Sequence, residues 1–169
     1  MHLRILAAAA ALALSAQSAL SGPLSKVELE PITHVDAALV VVGNDGTEHK
    51  YSPADLEEFT TYSLTTTTPW RDEPAEFQGV LLADVLAATG LDSASSIAVM
   101  AENDYRTVIP QAVWQEVDIL VATRVNGRAH SRRARGPIQF VIDMETFNAS
   151  ELTSESNLVW MAARIEAES

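Results

Sequence analysis

Short apolar runs separated by turn residues recur along the chain and predict a fold made mostly of strands. The clearest runs are rich in β-branched residues and occupy residues 39–42, 97–100, 119–125 and 138–142. Runs of about four to eight such residues between turn signals are typical of buried strands. Asn126-Gly127 tolerates the positive φ of a tight turn, so a hairpin is expected around this pair.

Three further segments carry strand or loop signals. The threonine-rich residues 60–70 disfavour a helix, because β-branched side chains crowd the helical turn, and predict an exposed or edge strand that Pro69 ends. Residues 71–76 are predicted to form a polar loop. Residues 159–166 alternate between apolar and other side chains, which predicts a closing strand with Trp160 in the core.

Helical signals are fewer than strand signals. Ser52 and Pro53 are suited to the cap and the first position of a short helix. Residues 80–90 place Leu and Val on one helical face and end at Gly90, and Phe77 is expected to pack beside this helix. Strands with two or three interspersed helices predict an α+β protein.

The first residues of the chain predict export. Residues 1–21 combine Arg4, an apolar core and small residues at the end, as secretory signal peptides do. The apolar core is shorter than the roughly 20 residues that a spanning helix needs. The alternative is that the segment is not cleaved and is retained as a membrane anchor. We therefore expect cleavage near Ser21, a periplasmic or secreted protein, and no membrane span in the mature chain. Residues 22–38 are expected to be a lead-in segment and residues 39–169 a single domain.

The chain is strongly acidic and lacks cysteine. Its 169 residues carry 23 Asp and Glu against 11 Lys and Arg, a formal net charge of −12. Such acidity argues against nucleic acid and anionic membranes as partners. The absence of cysteine excludes disulfides, thiol catalysis and a thiolate metal ligand. The histidines are isolated in sequence, so no zinc site is expected, and the chain has no phosphate loop, nucleotide fingerprint or nucleophile elbow.

Positive charge is concentrated in one stretch. Five of the 11 Lys and Arg residues are Arg124, Arg128, Arg132, Arg133 and Arg135. Two interpretations remain open. In the first, the cluster is an anion site, since guanidinium groups bind carboxylate, phosphate or sulfate through paired hydrogen bonds. Alternatively, it is a solvated hairpin whose arginines pair with surrounding acids.

Several elements resemble one known family. Residues 77–86, FQGVLLADVL, resemble the F-x-G-v-x-L-x-D-v-L element of the oxidoreductase molybdopterin-binding domain, which has the sulfite-oxidase-type fold. Four further elements follow in the family's order. They are Asn103-Asp104-Tyr105 with Ile109-Pro110, Val125-Asn126-Gly127, Arg135-Gly136-Pro137-Ile138, and Leu158-Val159-Trp160 with Arg164-Ile165-Glu166. The resemblance covers residues 39–166 and implies a strand-dominated α+β domain of this type.

The chain departs from the redox enzymes of this family at their metal ligand. In those enzymes a cysteine thiolate binds molybdenum, in the segment that corresponds to residues 65–68 here, which are all threonine. A threonine hydroxyl does not replace a soft, charge-donating thiolate. The chain is therefore more similar to the small, standalone, exported members of the family. No cofactor is expected on this basis, with molybdopterin as the alternative.

Two classes of function follow from the resemblance and the arginine cluster. In the first, the domain is a non-redox module that binds a small anionic ligand or an acidic group of a periplasmic protein partner. In the second, it is a molybdopterin-dependent oxidoreductase, or a subunit of one, that holds the pterin without a protein thiolate. A pure interaction protein is a third class that the sequence does not separate from the first. We favour the first class because the thiolate that binds the metal in the redox enzymes is missing, and an enzyme activity inferred from the fold alone does not outweigh that absence.

The candidate ligand-binding residues come from the arginine cluster and from aromatic and turn residues of the resembling elements. They are Arg133, Arg135, Gly136, Tyr105, Asn103, Asp104, Trp70 and Arg71. No catalytic or metal-ligating residue is assigned.

Overall fold

The computed structural model describes residues 22–168. The predicted signal peptide, residues 1–21, lies outside the described residues. Among those described, no helix is long and apolar enough to cross a membrane.

Eleven strands and four short α-helices make up the described part of the chain. The strands are β1 Gly22–Lys26, β2 Leu39–Val42, β3 Glu48–Tyr51, β4 Thr61–Thr68, β5 Arg71–Leu81, β6 Ser96–Ala101, β7 Arg106–Pro110, β8 Leu120–Val125, β9 Arg128–Ala129, β10 Gln139–Val141 and β11 Ala162–Ala167. The helices are α1 Pro53–Leu56, α2 Leu82–Ala88, α3 Gln111–Glu116 and α4 Met144–Ala149. Short 3-10 turns cover Arg132–Ala134 and Glu155–Asn157. This content confirms the predicted strand-dominated α+β class.

The strands form two sheets. The first sheet has the order β1-β4-β5-β8-β10, with β9 paired to β8, and all of its pairs are antiparallel. The second sheet has the order β3-β2-β11-β6-β7, in which only the β2–β11 pair is parallel. Four of the five arginines of the cluster lie between β8 and β10, and Arg124 lies in β8 itself, so the first sheet positions the candidate site.

A single main core joins the two sheets and α2. It contains Val121 and Phe140 from the first sheet, Val99 and Ile165 from the second, and Leu86 from α2, and it leaves each of them inaccessible to solvent. Alternation along the strands places their neighbours on the opposite, outer face of the first sheet. A smaller apolar cluster covers that face and consists of Leu64, Ala75, Phe77, Leu120, Ala122 and Val141.

The local signals around the first helix and the hairpin are confirmed. The Ser52 hydroxyl accepts a hydrogen bond from the Asp55 backbone N–H at 3.1 Å, while the Asp55 carboxylate accepts one from the Ser52 N–H at 2.8 Å. This reciprocal pair is a capping box. Asn126 and Gly127 both have a positive φ, of 51° and 73°, at the turn between β8 and β9.

Two predictions around β4 and β5 are wrong. Residues 71–76 are not a loop but the first half of β5, where Arg71 pairs with Thr68 and Ala75 with Thr66. Backbone pairing holds this polar strand although its side chains lack an apolar pattern. Within residues 60–70, Thr61–Thr68 do form a strand, but this strand, β4, lies inside the sheet and not at its edge, because β1 pairs with its other side.

The predicted helix and two core positions also need correction. The helix begins at Leu82, because Val80 still pairs with β8 as part of β5. Phe77 is buried, with 2% of its surface exposed, but it packs in the outer cluster rather than beside α2. Trp160 is only half-buried, because the closing strand begins two residues later, at Ala162.

Candidate functional site

The candidate site is built on the loop between β8 and β10, which we call the arginine loop (residues 126–138). After β9 the loop makes a 3-10 turn over Arg132–Ala134, and Arg135 follows in the left-handed region with φ of 77°. A cis peptide bond joins Gly136 to Pro137 before the chain enters β10. The backbone of the loop is anchored to the residue that precedes β11, because the Met161 N–H donates to the Arg135 carbonyl oxygen at 3.1 Å.

Two arginines of the cluster have structural partners. Arg124 is 4% exposed, and its Nε donates to the Glu57 carboxylate at 2.9 Å. Arg132 lies at the surface, and its Nε donates to the Glu102 carboxylate at 2.7 Å. For these two residues the alternative interpretation, pairing with surrounding acids, is correct.

Arg133 and Arg135 are different. Within residues 22–168, neither side chain has a carboxylate partner. The Arg135 guanidinium carbon lies over the Trp70 ring, 4.9 Å from its centre, and over the Trp160 ring at 5.4 Å. Contact with aromatic rings occupies the faces of a guanidinium group, whereas its N–H groups point outwards in the plane. The donors of Arg135 are therefore held in place without being consumed by a protein acceptor.

A cavity of about 250 Å³ lies beside these arginines. Three arginines line it, Arg71, Arg133 and Arg135, and Trp70 forms part of the wall. Thr68 and Phe77 contribute from the adjoining strands. Arg71 follows Trp70 at the tip of the β4–β5 hairpin, so this hairpin and the arginine loop bring positive charge to the cavity from two directions.

A buried histidine and a buried amide also line the cavity. His130 and Gln139 are each 2% exposed, and His130 Nε2 lies 2.7 Å from Gln139 Oε1. Burial lowers the pKa of His130, and the nearby positive charge of Arg71 lowers it further, although the hydrogen bond to Gln139 opposes both effects. The site therefore favours the neutral imidazole, and Nε2 donates to the Gln139 oxygen in the tautomer that carries its proton there. Its Nδ1 is buried and has no partner among the described residues.

Gly136 has a packing role. A Cβ at this position would lie 2.6 Å from His130 Cγ and 2.7 Å from the His130 carbonyl oxygen. Both distances are far below the roughly 3.5 Å of an ordinary carbon contact. The glycine thus allows the arginine loop to lie directly against His130.

The three turn residues of the prediction lie elsewhere. Asn103, Asp104 and Tyr105 form the turn between β6 and β7 in the second sheet, where Asp104 has φ of 65°. None of them lines the cavity. The ion pair from Arg132 to Glu102 is what links this turn to the arginine loop.

Sequence reasoning placed Trp70, Arg71, Arg133 and Arg135 in the candidate site, and the structure brings these four together. It missed His130, Gln139 and Trp160. A signal for Gln139 was present, because it is the single polar residue in the apolar run of residues 138–142.

Comparisons with known proteins agree with the architecture. The model of the oxidoreductase molybdopterin binding domain matches residues 25–150. The fold is similar to the crystal structure of the sulfane dehydrogenase SoxCD from Paracoccus pantotrophus, with a TM-score of 0.59 and 15% sequence identity. That match covers 82% of this chain but 39% of the SoxCD chain, so it shows the fold alone. A search of curated proteins finds no match. Since the family model spans most of the sequence, the chain belongs to the oxidoreductase molybdopterin binding domain family.

Proposed function

We propose that the protein is a non-redox binding module that takes a small anionic ligand, or an acidic group of a partner protein, in the cavity beside the arginine loop. The observation that carries the proposal is the contrast within the arginine cluster. Arg124 and Arg132 have carboxylate partners, whereas Arg133 and Arg135 have none in the described part of the chain and line a cavity. Charged groups that converge on a cavity without protein partners are typical of ligand sites.

The arrangement suits an oxyanion. Arg133 and Arg135 each offer paired N–H donors, which match the geometry of phosphate, sulfate or carboxylate. Trp70 and Trp160 fix the Arg135 guanidinium, so less side-chain freedom is lost when an anion binds. Arg71 adds a third positive charge from the β4–β5 hairpin.

The cofactor of the family fits this cavity only in part. The guanidinium groups suit the phosphate of a pterin cofactor, and the indole of Trp70 offers an aromatic wall. The metal has no matching ligand, because the sequence lacks cysteine and Thr68 is the residue of the threonine run that lines the cavity. A hard, neutral hydroxyl is a poor substitute for a thiolate. We therefore assign no redox step to these residues.

Export belongs to the same proposal. The signal pattern of residues 1–21 supports a periplasmic or secreted protein, cleaved near Ser21. In that compartment the ligand would be an exported or imported small anion, or an acidic group of another exported protein.

A thermal-shift screen tests the site. Phosphates, sulfates, carboxylates and pterins are added to the wild type, to Arg133→Ala and to Arg128→Ala, the matched control from the same loop, which is exposed and does not line the cavity. A true ligand at a hundredfold excess over its Kd stabilises the wild type by about 2.7 kcal/mol. We expect this stabilisation to persist in the control and to be lost in Arg133→Ala. Equal stabilisation of all three proteins by every compound would rule out the site.

A further inference from the structure

A second cavity, of about 800 Å³, lies on the outer face of the first sheet. It shares no lining residue with the cavity beside the arginine loop. The strands β1 and β4, the turn that follows α3, and α4 with its flanking residues surround it. We call it the acidic groove and define it by Leu24, Leu64, Glu116, Val117, Asp118, Asp143 and Glu145.

The floor of the acidic groove is apolar. Leu64 and Val117 lie at the bottom of the groove with only 2% and 4% of their surface exposed, so of these three residues the half-buried Leu24 of β1 leaves the most apolar surface open to a ligand. Covering such a surface gains roughly 25 cal/mol for each Å² of apolar area removed from water. The floor therefore favours an apolar side chain of a ligand.

The rim of the groove is acidic. Glu116, Asp118 and Glu145 are exposed, and none has a Lys or Arg partner within residues 22–168. Asp143 stands at the same rim, where its Oδ2 accepts the Thr146 backbone N–H at 3.0 Å as the cap of α4. Three uncompensated carboxylates around an apolar floor are complementary to a ligand that combines positive charge with an apolar group.

The border of the groove offers backbone groups as well. β1 contributes Leu24 to the floor and is the edge strand of the first sheet, since among the described residues it pairs with β4 alone. The free edge of a strand is a template on which an extended peptide adds a further strand. A volume of about 800 Å³ also accommodates several side chains at once.

We propose that the acidic groove binds an extended segment of a partner protein in which an apolar side chain is flanked by Lys or Arg. The apolar side chain packs on Leu24, Leu64 and Val117, and the flanking cations face the carboxylates of the rim. A second copy of this chain is a poor occupant, because both copies carry the formal net charge of −12. A small polyamine would satisfy the carboxylates but leave the half-buried Leu24 in contact with water.

Peptide selection tests the proposal. Random peptides displayed on phage are selected on the folded protein, and the enriched sequences are synthesised with a fluorescent label for anisotropy measurements. We expect the enriched peptides to share an apolar residue flanked by Lys or Arg and to bind more weakly at high salt. The combined variant Glu116→Gln, Asp118→Asn, Glu145→Gln should weaken binding by about tenfold, since exposed charge pairs each contribute only a little.

The matched control neutralises three exposed acids of β5 instead, with Asp72→Asn, Glu73→Gln and Glu76→Gln. It changes the net charge by the same amount but leaves the groove intact, so peptide affinity should change by less than about twofold. Replacing the apolar residue of the peptide with Ser should also weaken binding, which a purely electrostatic contact would not show. Melting curves of both variants confirm that they are folded.

Several outcomes would overturn the proposal. Peptides without the expected pattern, or peptides that bind the groove variant and the wild type alike, would show that the groove is not the docking surface. Equal weakening in both variants would indicate a response to net charge alone. Displacement of the peptide by spermidine, together with unchanged binding of the Ser-containing peptide, would indicate a small-cation site. A dimer in light scattering that the groove variant abolishes would make a second copy the occupant.

Discussion

The buried ion pair between Glu57 and Arg124 ties the end of α1 to β8 of the first sheet. The two side chains are 9% and 5% exposed, and Arg124 Nε donates to Glu57 Oε1 at 2.9 Å. Thr123 donates its hydroxyl to the same oxygen at 2.6 Å, and Arg124 also donates to the Glu30 carbonyl oxygen at 2.8 Å. Glu57→Gln preserves the shape of the side chain but removes its charge. Arg124 then remains buried without a counterion.

The expected loss of stability is large. Removing one partner of a buried ion pair costs about 3 to 5 kcal/mol, because the remaining charge is neither solvated nor paired. The neighbouring residue offers a matched control, since Glu58 is exposed and Glu58→Gln should change stability by less than about 0.5 kcal/mol. Urea denaturation followed by circular dichroism measures both variants. Equal unfolding free energies for the two would refute this account of the pair.

The same residue makes stability depend on pH. Burial raises the pKa of Glu57, but the hydrogen bonds from Arg124 and Thr123, together with the nearby His34, outweigh burial and bring the pKa below 4.5. Because the pKa is depressed in the folded state, the unfolded state binds the proton first as the pH falls. The contribution of Glu57 is therefore complete above pH 4.5 and is lost as the pH falls through the folded pKa. Unfolding free energies of the wild type should fall more steeply in this acid range than those of Glu57→Gln.

Three further substitutions test packing and surface charge by urea denaturation. Gly136→Ala should lower the free energy of unfolding by about 1 to 3 kcal/mol, because the added methyl overlaps His130. A urea midpoint equal to that of the wild type would show that the arginine loop can move away from His130 at little cost. Phe77→Ala should lower the free energy of unfolding by about 3 to 5 kcal/mol, since its ring is almost fully buried in the outer cluster. A small effect would contradict that placement. Arg132→Ala should lower the free energy of unfolding by less than about 1 kcal/mol, because its ion pair with Glu102 is solvent-exposed. A larger loss would show that this exposed pair stabilises the fold and would contradict the expectation.

Features set by neighbouring residues were predictable from the sequence. The capping box at Ser52 and Asp55 depends on residues three apart, and the turn at Asn126-Gly127 depends on the backbone freedom of two residues. The family elements add long-range information, because a known fold orders the strands that local patterns leave unpaired. Fold class and most strands therefore followed from the sequence.

Features set by distant contacts were not predictable. The sequence does not distinguish Arg124 from Arg133. Arg124 is buried and paired with the carboxylate of a residue 67 positions away, whereas Arg133 has no carboxylate partner among the described residues. The ring contact between Arg135 and Trp70 also joins two separate elements. β5 shows the same limit, because pairing with β4 holds its polar first half in a strand that no hydrophobic pattern marks.

We propose that the domain binds an anion without metal-centred redox chemistry, and elemental analysis tests the absence of a redox metal most directly. The protein is purified from its own host, and molybdenum and tungsten are quantified by mass spectrometry against protein concentration. The missing thiolate ligand predicts a metal content far below one atom per chain. A content near one molybdenum or tungsten atom per chain would contradict this proposal and support the molybdopterin-dependent alternative.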